Sequence, residues 1–84
     1  MIRIAVVDDD NILLNQIKEL IEKKNNDNFL IDLYSDSIAF YNNNDKWNYD
    51  IIFLDIDMPK MNGFEIAETM SLLKRNSAIV LYRI

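Results

Sequence analysis

The chain has 84 residues, of which half are hydrophobic, and its 14 acidic against 9 basic side chains give a net charge of −5. This is the composition of one small globular domain, with no length left for a second. There is no cysteine and no histidine, which excludes disulfides, thiolate metal sites and the commonest metal ligand and general base. The acidic balance argues against nucleic acid as a direct partner, because phosphate binding needs clustered Lys or Arg.

No apolar run approaches the roughly 20 residues of a membrane span. The N-terminus runs into Asp8-Asp9-Asp10 too soon to be a signal peptide. The expectation is a cytoplasmic chain without a membrane partner.

Ile2 to Val7 is a β-branched apolar run without alternation, which predicts a central strand covered on both faces. Asp10 is placed to cap the helix that follows. Leu13, Ile17, Leu20, Ile21 and Lys24 recur there at helical spacing, and Lys23 and Lys24 favour its C-terminus. Asn25 to Asn28 is a polar loop. Phe29 to Tyr34 alternates and predicts a second strand. Ser35-Asp36 caps a short second helix through Ile38, Phe40 and Tyr41, ended by a solvated Asn42–Asp45 loop. Trp47 and Tyr49 are expected to pack where the third strand begins.

Ile51-Ile52-Phe53-Leu54 is the most apolar run and predicts another buried strand, ended by Asp55. The only proline and the only glycine, Pro59 and Gly63, fall in the loop that follows, which makes it the place with tight-turn chemistry. Phe64, Ile66, Ala67, Met70 and Leu73 form a third helical stripe, closed by Lys74 and Arg75. Met58, Met61 and Met70 read as core and loop filling. Ala78 to Tyr82 reads as a fourth strand.

The order β-α-β-α-β-α-β implies an α/β fold with a parallel sheet and right-handed crossovers. In such sheets the functional crevice lies at the carboxyl ends of the strands. Two strands end in carboxylates there. If they are neighbours, Asp8, Asp9 and Asp55 converge and repel, and either their protonation shifts or a cation neutralises them. A hard divalent ion such as Mg²⁺ suits that set, and it bridges to phosphoryl oxygens. One carboxylate then serves as a nucleophile, forming an aspartyl phosphate. Taken singly, acidic residues at strand ends are often no more than helix caps. Two acid-tipped apolar strands followed by a Pro/Gly loop are a rarer combination.

Val6-Val7-Asp8-Asp9, followed by Ile52-Phe53-Leu54-Asp55-Ile56-Asp57-Met58-Pro59-Lys60-Met61-Asn62-Gly63-Phe64-Glu65, resembles the receiver domain of two-component response regulators. The Leu-Asp-Ile-Asp-Met-Pro wording is similar to receivers of LytTR-type regulators, which control transcription in bacteria. The resemblance covers residues 1–84 as a single, partial receiver domain. It implies a flavodoxin-like three-layer fold with strand order 2-1-3-4, stopping before the fifth strand and last helices.

It further implies that Asp55 is the phosphoacceptor, that Asp9 binds Mg²⁺ (or Mn²⁺) directly, and that Asp8 helps through water. Asp57 would offer its backbone carbonyl to the metal, while Pro59 and Gly63 shape the loop. A histidine kinase would supply the phosphoryl group, and the receiver would catalyse only its own transfer.

Two departures stand out. The family carries a Thr or Ser at the end of the fourth strand, where a gapless count from Pro59 puts Arg83. It also carries a Lys at the end of a fifth strand, which this chain does not reach. A guanidinium does not copy a small hydroxyl. The alternative is therefore a non-phosphorylatable receiver acting only as an interaction or oligomerisation module. A fourth strand left at the sheet edge would expose Ile79, Val80 and Leu81 for self-association.

Two other readings fail on the residues. A dehalogenase-type phosphatase wants Gly-Thr or similar after its Asp-x-Asp, whereas Met58-Pro59 follows here. A calcium loop starting at Asp55 would need a glycine where Lys60 stands and a glutamate where Ile66 stands.

Overall fold

The computed structural model describes residues 1–25, 28–43, 48–72 and 77–83. Seven elements alternate along them: β1 (Ile2–Val7), α1 (Asn11–Asn25), β2 (Phe29–Tyr34), α2 (Ser37–Asn42), β3 (Ile51–Asp55), α3 (Gly63–Leu72) and β4 (Ala78–Tyr82). The four strands form one sheet in the order β2-β1-β3-β4, and every pairing is parallel. The expected topology is therefore the one observed.

The helices start where short polar side chains can satisfy free backbone N–H groups. The Asp10 carboxylate accepts from the N–H groups of Ile12 and Leu13, at 3.0 and 3.2 Å. Asp36 does the same for α2, accepting from Ile38 N–H at 2.9 Å. At α3, Asn62 and Glu65 exchange hydrogen bonds, each side chain accepting from the other's backbone N–H. That reciprocal box ties down the start of the helix behind the Pro59–Gly63 loop.

β1 is the centre of the molecule, with Ile4 to Val7 buried. Strand side chains alternate between faces, and the register sorts them into two cores. Ile4 and Val6 face α1, together with Phe29, Ile31 and Leu33 of β2 and Ile51 and Phe53 of β3. Ala5 and Val7 face the other way with Ile52 and Leu54, under Phe40 of α2 and Ile66 and Met70 of α3. That face also carries a polar chain in which the Tyr49 hydroxyl donates to Asp32 and meets the Tyr34 hydroxyl. Burial and the Asp32 bond raise the Tyr49 phenol far above its ordinary value.

The helix stripes differ from expectation in detail. Leu14, not Leu13, is the buried contact of α1, with Ile17 and Ile21 beside it, while Leu20 is exposed. Leu13 lines instead the cavity at the carboxyl end of the sheet, with Asp8 and Asp55. Phe64 is also exposed, at the solvent side of α3. Tyr49 packs as expected; Trp47, Asn44, Asp45, Leu73, Lys74 and Arg75 lie outside the described residues.

The two faces are unequal. α2 and α3 cover one, whereas α1 alone covers the other among the described residues. An apolar groove of ≈ 430 Å³ therefore runs beside α1, floored by Ile51 and Phe53 and walled by Leu20, Ile21 and Lys24. No described helix is long and apolar enough to cross a membrane.

Candidate functional site

The sheet register places the site. Val7 of β1 pairs with Leu54 of β3, so the next residues, Asp8 and Asp55, leave adjacent strands side by side. Asp55 in turn pairs with Tyr82 of β4. By the two-residue alternation, all three side chains emerge on the α1 face at its carboxyl end.

The same local device fixes both acids. Asp8 accepts a hydrogen bond from the Asp10 N–H at 2.9 Å, and Asp55 accepts one from the Asp57 N–H at 3.0 Å. Each strand thus ends in an Asx-type turn, in which the carboxylate holds the backbone two residues on. Asp9 follows Asp8 in the chain and is exposed. One carboxylate oxygen from each of Asp8, Asp9 and Asp55 falls within a 4.8 Å set.

Burial differs sharply among them. Asp8 is 1% exposed, while Asp55 is only half-buried and lines an open cavity of ≈ 370 Å³ with Asp9, Asp10, Asp57 and Gln16. Desolvation raises the Asp55 carboxyl above its ordinary value, as do the Asp8 and Asp9 charges, against the opposing Asp57 N–H bond. A site that disfavours its own anions in this way is one that a cation relieves. The donor set is all carboxylate oxygen, which fits a hard divalent ion such as Mg²⁺ or Mn²⁺.

The Pro59–Gly63 loop behaves differently from the simple turn expected. The left-handed residue is Lys60, with φ of 68°. It sits at the centre of a γ-turn closed by the Met61 N–H to the Pro59 carbonyl at 2.8 Å, a strained arrangement for a residue with a side chain. Gly63 has no positive φ, and its role is proximity. A Cβ placed there would stand 2.6 Å from the Asp55 carbonyl oxygen and 3.1 Å from its carbon. The first turn of α3 therefore packs directly on the backbone of Asp55. Asp57 is exposed at the cavity rim, and its N–H serves Asp55.

Arg83 follows the last residue of β4 and is exposed. The residue opposite Asp55 is Tyr82, whose hydroxyl donates to the Asp8 carboxylate at 2.7 Å. Burial first, then the Asp8 bond and the surrounding carboxylates, raise the Tyr82 phenol far above its ordinary value, so it remains a donor. Sequence reasoning missed this group. Aligning the last residues of the two five-residue strand runs, Ile51–Asp55 and Ala78–Tyr82, would have found it.

Comparison with known proteins agrees with this geometry. A family model for the response regulator receiver domain matches residues 4–82. The cell cycle response regulator CtrA of Brucella ovis is 27% identical over 79 residues, which cover 94% of this chain and 33% of that protein. The chain thus spans about a third of the length of the curated relatives it matches. Among solved structures, the response regulator TrrA of Thermotoga maritima, in complex with Mg²⁺ and a beryllium fluoride, superposes with a TM-score of 0.85 at 30% identity. That match covers 99% of this chain and 70% of the other. DrrB, an OmpR/PhoB homologue from the same organism, shares the fold with a TM-score of 0.83 at 23% identity, over 99% of this chain and 36% of its own. A parallel sheet in the order 2-1-3-4, acid-tipped at adjacent strand ends and matched by that family model over nearly its whole length, makes this chain a member of the response regulator receiver domain family.

Proposed function

We propose that residues 1–84 act as one receiver unit that accepts a phosphoryl group on Asp55 from a histidine kinase, in two-component signalling. The observation that carries this reading is the convergence of Asp8, Asp9 and Asp55 from two strand ends, with Asp55 the member of β3 open to the cavity. Asp8, Asp9 and Asp55, with the backbone carbonyl of Asp57, would hold Mg²⁺ or Mn²⁺. When bound, the ion would offset the carboxylate charge and that of the incoming phosphoryl oxygens.

This chain's own residues do the rest. The Asp57 N–H orients the Asp55 carboxylate, and Gly63 lets α3 brace the backbone behind it. An ionised Asp55 oxygen attacks the phosphorus of a phosphohistidine. The P–N bond breaks, the imidazole leaves with the electron pair and takes a proton, and an acyl phosphate remains on Asp55. Nothing in this sequence of events consumes a substrate beyond the donor, so the unit signals and is at most the catalyst of its own modification.

A second reading is an interaction module that is not phosphorylated. It is favoured by the exposed Val80 and Leu81 on a β4 that pairs only with β3 among the described residues. Such an edge is a template for a second copy of the chain. One experiment separates the two: intact-mass analysis after incubation with Mg²⁺ and acetyl phosphate, with Asp55→Asn as control. One phosphoryl adduct per chain, absent from the variant, supports the first reading. A folded chain that takes no adduct and forms a defined oligomer supports the second.

A further inference from the structure

The carboxylate that is most buried at this site is also one with a donor on both oxygens. Asp8 is 1% exposed, and both of its oxygens have a donor: the Asp10 N–H on one at 2.9 Å and the Tyr82 hydroxyl on the other at 2.7 Å. The first bond comes from the residue's own turn. The second crosses the sheet. Tyr82 lies on β4 and Asp8 at the end of β1, with β3 between them. Strands stand about 4.8 Å apart, so the side chains have to span two strand spacings. A phenol that makes this reach passes over the carboxyl end of β3, where Asp55 sits opposite Tyr82.

Resting on the metal-site reading above, we propose that Tyr82 is a positioning residue that latches the pocket: its hydroxyl holds Asp8 when no cation is present, and a divalent cation has to displace it. Occupancy of the acid cluster is thereby coupled to the end of β4. The argument is competitive. A donated O–H bond to a carboxylate is among the stronger neutral-to-charged hydrogen bonds, and with both Asp8 oxygens already accepting, the one that joins the cluster has to share or give up a donor.

The test is a Mg²⁺ titration by calorimetry of the wild type and of Tyr82→Phe, which keeps the ring and removes only the hydroxyl. If the latch exists, the variant binds Mg²⁺ about tenfold more tightly, the ratio expected from freeing one charge-assisted hydrogen bond. Equal or weaker affinity in a folded variant overturns the latch while leaving the metal site standing. No binding by either protein overturns both. A variant that does not fold is bypassed by a measurement on the wild type alone. Displacement of Tyr82 blue-shifts tyrosine absorbance in step with Mg²⁺ binding, and bound Mg²⁺ with an unchanged tyrosine spectrum overturns the proposal. A purely structural Tyr82 would change melting temperature without changing either readout.

Discussion

Gly63→Ala isolates the contact between α3 and the acid-bearing strand. The added methyl would stand 2.6 Å from the Asp55 carbonyl oxygen, 3.1 Å from its carbon and 3.2 Å from the Cα of Ile56. All three neighbours are backbone, so no side-chain rotation relieves the overlap. α3 or the end of β3 has to move by roughly half an ångström or more to reach ordinary contact. Overpacking of this kind costs about 1–3 kcal/mol. Alanine recovers at most about 1 kcal/mol of helix propensity, and less in a first turn. The net expectation is a loss of about 1–2 kcal/mol, which in a domain of this size lowers Tm by roughly 5–15 °C. Thermal unfolding followed by circular dichroism, at matched protein concentration, reads it directly. On the proposed phosphoacceptor reading the displacement also shifts Asp55, and phosphoryl uptake from acetyl phosphate is expected to fall with stability. A variant that melts at or above the wild-type temperature would refute the close-contact argument.

Three further substitutions test other parts of the structure. Because burial and neighbouring charge raise the Asp55 carboxyl in the folded state, the folded chain holds that proton more tightly than the unfolded one. Stability therefore falls as pH rises from the ordinary value of 3.8 through the raised one, and stays lower above it. In EDTA at pH 7, Asp55→Asn is expected to melt a few degrees above wild type, with the gain shrinking as pH is lowered toward 3.8; a constant difference would sink the charge explanation. Asp10→Ala removes the carboxylate that accepts from Ile12 and Leu13, and urea unfolding should show a loss of about 0.5–2 kcal/mol. Val80→Lys puts a charge on the exposed fourth strand. Light scattering should show the associated wild type moving toward monomer, and a monomeric wild type at high concentration would rule out association through this edge.

Most of the fold was legible because its signals are local. Two largely apolar runs ending in Asp, and helix openings at Asp10 and Asp36, leave few ways to arrange the chain. The convergence of Asp8, Asp9 and Asp55 followed once β1 and β3 were neighbours. What was not legible depends on register and on close approach. A gapless count directed attention to Arg83, whereas the hydrogen-bonded ladder sets Tyr82 opposite Asp55. The phase of α1 also depends on packing against the sheet, which buries Leu14 instead of Leu13. Turn chemistry was attached to Pro59 and Gly63, but the positive φ falls on Lys60 between them. Gly63 is small because a carbonyl from another element occupies the space its side chain would need.

The inequality of the two sheet faces reaches beyond the site. With α1 the one helix over its face among the described residues, Phe53, Ile51 and Val80 keep contact with water that a second helix would remove. Heat capacity of unfolding grows with the apolar area withdrawn from solvent. A molecule that filled the α1 groove would withdraw more of it and raise that increment. Binding there would therefore curve the dependence of stability on temperature more strongly as well as raise it.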